Sequence, residues 1–144
     1  MIKKIIIGLI ILSIFYVIYA HVRAYIWKAE AEEYSADVLR EISSPWRLDA
    51  LTNNASESLK SAGEPKLRII LQKYNEYAGN YKKNSNEDSV CILGSKPVEN
   101  FKNIYAQCIV IAEFENRELA MDMQLVLEKN YWKINDFRIK SPNK

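Results

Sequence analysis

The hydrophobic pattern of this chain changes character twice. From Ile5 to Ala20 only Gly8 and Ser13 interrupt an apolar run. From residue 24 to residue 79, apolar positions recur at three- and four-residue steps, the helical period. From Ser89 onward they recur at every second residue, the period of a strand.

The first helical stretch, residues 24–43, sets Ile26, Trp27, Tyr34, Val38 and Ile42 near one face and continues the apolar run before it. Ser44 and Pro45 then suit the cap and first position of a second helix, over 45–62. It carries Leu48, Leu51, Ala55, Leu59 and Ala62. Gly63 stops it, Pro65 opens a third, over 65–79, and Gly79 ends that one.

Four strands are expected next: a short one at "SVCIL", then "NIYAQCIVIAEFE", "RELAMDMQLVLE" and "YWKINDFRIK". The stretch between Gly94 and Lys102 contains Pro97 and reads as an irregular loop. A two-residue turn at Asn116-Arg117 would set Leu119 opposite Phe114, Met121 opposite Ala112, Met123 opposite Val110 and Leu125 opposite Cys108. All are apolar, so they share one buried face. A turn at Lys129-Asn130 sets Trp132 opposite Leu127 and Ile134 opposite Leu125. Strict alternation would then bring Asp136 into the core. One extra residue near Asn135-Asp136, a β-bulge, returns Phe137 and Ile139 to the apolar face and bends the strand. A bent sheet can curl around a helix.

The segments "PWRLDALTNNASESL" to "LRIILQKYNEYAGNY", followed by a terminal "YWKINDFRI", resemble the nuclear transport factor 2-like (cystatin-like) superfamily over about residues 45–140. The resemblance implies an α+β fold, with about three helices packed on a curled, cone-like antiparallel sheet of four strands. The superfamily includes ketosteroid isomerase-like enzymes, ligand-binding proteins and envelope-assembly proteins. Some of the last combine a short cytoplasmic tail, one membrane helix and a periplasmic domain.

The apolar run fits such a layout. Ile5 to Ala20 alone would rise about 24 Å, and extension to Trp27 would exceed the roughly 30 Å of a hydrocarbon core. Residues 1–27 therefore read as an uncleaved membrane anchor, and residues 28–144 as one exported domain. The competing reading is a secretory signal peptide cleaved after Ile18-Tyr19-Ala20. Lys3 and Lys4 would hold the N-terminus in the cytoplasm. Heavy use of Ile, Lys and Asn fits an AT-rich bacterial genome. The expected location is thus the bacterial inner membrane, single-pass, with the C-terminal domain periplasmic.

Composition narrows the function. Hydrophobic residues make up 49% and charged residues 26%, a globular balance. Setting aside Lys3, Lys4 and Arg23, the 20 basic residues become 17 against 18 acidic. A neutral domain with interleaved charge is a poor nucleic-acid binder. The one histidine, His21, sits at the edge of the anchor, so neither a zinc site nor a histidine-dependent nucleophile is expected. No catalytic, metal or cofactor residues stand out. Met121, Met123, Tyr74 and Trp132 are the candidate lining of a ligand pocket, with core packing as the competing reading. Cys91 and Cys108, the only cysteines, would pair in an oxidising compartment unless they are two buried free thiols.

The expected function is therefore non-enzymatic: a membrane-tethered protein-interaction module with an envelope protein partner. It could serve as a secretion or pilus assembly subunit or as a periplasmic inhibitor. The alternative is a small-ligand binder or ketosteroid isomerase-like enzyme using the cone interior. The oligomeric state is open.

Overall fold

A computed structural model of the chain describes residues 2–85, 89–98 and 101–140. The fold is α+β: a long N-terminal helix, three shorter helices and an open antiparallel sheet of five strands.

Helix α1 runs unbroken from Ile2 to Ser43, because no Gly or Pro lies between Gly8 and Pro45 to interrupt it. Its two halves have different surroundings. Along the first, apolar side chains are exposed all round, from Ile5 at 58% to Tyr16 at 73% and Ile26 at 48%. This half is long and apolar enough to cross a membrane. Along the second, Ala31, Val38, Leu39 and Ile42 are buried in the core. Burial of Val38, Leu39 and Ile42 contributes about 1.5–3 kcal/mol each.

The single helix expected over 45–62 is instead two short ones, α2 (Leu48–Asn54) and α3 (Glu57–Lys60). Ser44 and Pro45 lie in the preceding turn, not at a helix start, and Arg47 occupies the cap position. The break at Ala55-Ser56 has a tertiary cause. Ala55 bridges Ile134 at the sheet edge, and the Ser56 amide donates to the Ile134 carbonyl at 2.8 Å. Ser56 Oγ then accepts from the Leu59 amide at 3.1 Å and caps α3. Helix α4 (Glu64–Ala78) agrees with the sequence: Pro65 is in its first turn and Gly79 at its end.

The strands are β1 (Tyr81–Asn84), β2 (Val90–Val98), β3 (Phe101–Phe114), β4 (Glu118–Glu128) and β5 (Tyr131–Lys140). The order is β1-β3-β4-β5, with β2 also paired to β3. Two expectations are corrected here. The sheet has five strands, not four, because "YKKN" pairs although it lacks apolar alternation. The stretch around Pro97 is strand, not loop: β2 stays in register with β3 through Pro97↔Lys102 and Val98↔Phe101. Pro97 shares the parity of Cys91, whose amide points away from β3 toward Glu32 Oε1 at 3.1 Å. A proline there removes no ladder hydrogen bond, which is why an edge strand tolerates it.

The β3–β4 register also differs, by two residues: Leu119 faces Ala112, Met121 faces Val110 and Met123 faces Cys108. An even shift keeps every side chain on its face. The turn is wider than two residues because its amides are claimed elsewhere. Those of Glu115 and Asn116 donate to the carbonyls of Asn80 and Ala78 at 2.9 and 3.0 Å. The β4–β5 register is as expected, including Leu127↔Trp132 and Leu125↔Ile134, with Lys129 and Asn130 at positive φ. The pairing steps from Leu125↔Ile134 to Gln124↔Asp136, so Asn135 is the bulged residue, and Phe137 and Ile139 return to the inner face opposite Met123 and Met121.

Candidate functional site

The helices cover one face of the sheet. The inner positions Val110, Ala112, Leu119, Met121, Met123, Leu125 and Ile134 are 0–1% exposed. The candidate pocket lining lies in and around this interior. Met121 and Met123 are fully buried and Trp132 is 6% exposed. Tyr74 packs edge-on against Phe137 and Trp46, ring centroids 5.5 and 5.8 Å away. Burial raises the Tyr74 pKa above its ordinary value. Trp132 Nε1 has no hydrogen-bond partner among the described residues. Tyr77 lies under the Arg117 guanidinium at 3.9 Å, and the Tyr81 hydroxyl donates to Asn84 Oδ1 at 3.0 Å. His21 lies on the exposed half of α1, with Nδ1 2.9 Å from the Val17 carbonyl.

Cys91 and Cys108 face each other directly across the β2–β3 ladder, with their sulfurs 1.97 Å apart in a disulfide. The pair is buried beneath α1, where Ser35 Oγ is 4.0 Å from Cys91 Sγ and the Ala31 carbonyl is 3.9 Å from Cys108 Sγ.

The outer face carries the groups available to a partner. Because Cys91 and Cys108 point inward, Val90, Ile92 and Ile109 point outward, 59%, 72% and 41% exposed. Val90 stands directly opposite Ile109. Beside this apolar strip, on β3, β4 and β5, lies a polar groove of about 460 Å³ lined by Gln107, Asp122, Gln124, Asp136 and Arg138. Asp122 accepts from Lys140 Nζ at 2.9 Å and from Gln107 Nε2. Arg138 bonds Asp136 at 2.7 Å, and Asn135 Nδ2 donates to Gln124 Oε1 at 2.8 Å. Burial alone would raise the Asp122 pKa, but the hydrogen bonds and charge of Lys140, with Gln107 and Arg138, hold it below the usual value. The groove thus holds two carboxylates, Asp122 and Asp136, each paired with a cation.

Sequence reasoning missed this face. With the register two residues off, Asp122 falls beside Ile111 and Gln124 beside Ile109, and the surface reads only as mixed. The observed rows, Ile109–Asp122–Arg138 and Gln107–Gln124–Asp136, depend on that shift and on the bulge. Among the described residues, no three His, Cys, Asp or Glu side chains are placed to share a metal ion.

Compared with family models, with curated proteins and with solved structures, the chain matches none of them.

Proposed function

We propose that this chain is a non-enzymatic, membrane-tethered interaction module of the bacterial inner membrane, its N-terminus cytoplasmic and its domain in the periplasm. The observation that carries the reading is α1 itself: one helix is exposed and apolar over its first half and buried in the domain core over its second. The domain is then held rigidly at the membrane, with its outer sheet face uncovered. That face offers what a protein partner needs: an apolar centre at Val90, Ile92 and Ile109, and a polar margin whose groups can share hydrogen bonds.

The open antiparallel sheet, the Asn135 bulge and the helices on one face are consistent with the nuclear transport factor 2-like cone that the sequence resembles. Packed methionines across the interior favour partner binding over a ligand held within. The partner is an envelope protein, and a subunit of a secretion or pilus assembly or the target of a periplasmic inhibitor would fit.

The test is extraction of tagged full-length protein in mild detergent, followed by affinity capture. A stoichiometric envelope protein is expected with the native chain. It should be lost with Ile92→Arg and Ile109→Lys, exposed positions where the new charge meets no like charge across the strand pair, so that thermal stability is expected to stay near native. Capture that is indifferent to both substitutions would remove the outer face from the proposal.

A further inference from the structure

Two independent ties fix how the strands stand along α1. The Ala31 carbonyl lies 3.9 Å from Cys108 Sγ on β3, and further along both elements Trp46, just past α1, stacks on Phe114 at 5.9 Å. Hence β3 runs in the direction of α1, and so does β5, two antiparallel steps away. On β5, Ala55 bridges Ile134 while the Tyr34 hydroxyl donates to Asn54 Oδ1 at 3.2 Å, so Ile134 stands near the level of Tyr34. From Ile134 back to Tyr131 is about 10 Å of strand. From Tyr34 back to Trp27 is about 10.5 Å of helix. The ladder gives a second route, since Ile134 pairs through Leu125 with Ala106, two residues to the anchor side of Cys108. By either route the β4–β5 turn reaches at least the level of Trp27, where the exposed apolar run of α1 ends at Ile26.

From this placement we infer that the β4–β5 turn, with Lys129 and Tyr131, rests in the headgroup layer of an anionic bilayer. The inference rests on the anchor reading of α1. The chemistry at that level suits lipid. Tyr131 is 71% exposed, and tyrosine is enriched at membrane interfaces. Lys129 is exposed on the same turn, and Lys28, on α1 at this level, is 48% exposed and shared with Glu32 at 3.5 Å. Anionic headgroups attract such lysines. Arg23, one turn deeper, lies over the Trp27 ring at 4.9 Å, as a cation does at the foot of an interfacial aromatic belt. The domain would then have a fixed height and tilt on the membrane, presenting its outer sheet face sideways to neighbours in the bilayer.

The experiment places a benzophenone amino acid at one of three exposed positions of full-length protein in nanodiscs: Phe15 in the apolar half of α1, Tyr131, or Tyr77 near the far end of the sheet. After illumination, lipid adducts are read by intact mass. Adducts at Phe15 and Tyr131 but not Tyr77 are expected. The Tyr131 yield should fall about fivefold when Lys129→Gln removes one lysine, and by at least as much when phosphatidylglycerol is replaced by phosphatidylcholine, since each such lysine is a term of that size. Adducts at Phe15 alone would overturn the docking and leave the anchor standing. No adduct at Phe15 would overturn the anchor and the docking together. Equal adducts at Tyr131 and Tyr77 would mean that the domain tumbles against the bilayer, and would also overturn the docking.

Discussion

The carboxylate of Glu32 accepts the backbone amide of Cys91 at 3.1 Å, joining α1 to the outer edge of β2. The same helical residue accepts the Ser89 hydroxyl at its carbonyl, so one turn of α1 closes the start of an edge strand. Glu32→Ala would leave the Cys91 amide without a partner in a buried position. A loss of about 1–3 kcal/mol is expected, the cost of an orphaned buried donor. Glu32→Gln keeps an acceptor oxygen and should lose less. Denaturant midpoints of full-length protein in detergent measure both. Equal losses would mean that the charge, through Lys28 at 3.5 Å, matters more than the hydrogen bond.

The disulfide beneath that turn closes a loop of sequence separation 17, for which chain entropy gives about 3 kcal/mol. Native protein unfolded in alkylating reagent without reductant is expected to take up no label. Its mass should be lower than that of the reduced protein by the two thiol hydrogens. Reduction should lower the denaturant midpoint without altering the helix content. Full alkylation of unreduced protein from an oxidising periplasm would return the pair to two buried thiols.

How much of this was legible in the sequence depended on the range of each interaction. Local chemistry could be read directly. Lys129-Asn130 gave the tight turn, Gly63 and Gly79 bounded α4, and the two-three-two spacing of Trp132, Ile134, Phe137 and Ile139 gave the bulge. Features set by distant partners could not. Nothing near Ala55 announces that Ile134 will break its helix. The extra turn residues between Glu113 and Glu118 exist because Asn80 and Ala78 capture two amides. The polar groove inherits that uncertainty, since its rows exist only in the observed register.

Gly79 has φ 74°, and a Cβ there would stand 2.7 Å from Glu115 Cβ. Gly79 also accepts the Trp46 indole N–H at its carbonyl, at 2.8 Å. Gly79→Ala is expected to cost about 1–3 kcal/mol for a backbone at φ 74° and ψ −168°, a conformation essentially confined to glycine, with more from the clash. Gly94→Ala, with nothing within 4 Å of the added carbon, is the matched control and should be nearly neutral. Thermal unfolding of the two variants side by side tests this. Equal stability would remove the close approach of α4 and the β3–β4 turn as a constraint.

If residues 1–27 remain attached as an anchor, the protein stays in the membrane fraction through high salt and carbonate and retains its full-length mass. Detergent releases it. Membrane fractionation with intact mass measurement checks this directly. A soluble product beginning at His21 would establish cleavage and make α1 a helix of the domain alone.

Asp122 links the outer groove to pH. Its side chain is 15% exposed and accepts from Lys140 and Gln107, which hold its pKa below the usual range in the folded state. The folded protein therefore favours the ionised carboxylate more than the unfolded chain does. That contribution is complete above the unfolded value of about 3.9 and is lost as pH falls through the lower folded value. It should amount to about 1 kcal/mol, because Lys140 at the other end of the pair is mostly in solvent. Asp122→Asn keeps the shape and removes the charge. At neutral pH the native protein should be the more stable of the two, and the gap should close on acidification toward about pH 2. Urea midpoints of both proteins across that range measure the gap. A gap that stays constant to the lowest pH would show that Asp122 acts through shape and neutral hydrogen bonds, and that Lys140 contributes nothing through its charge.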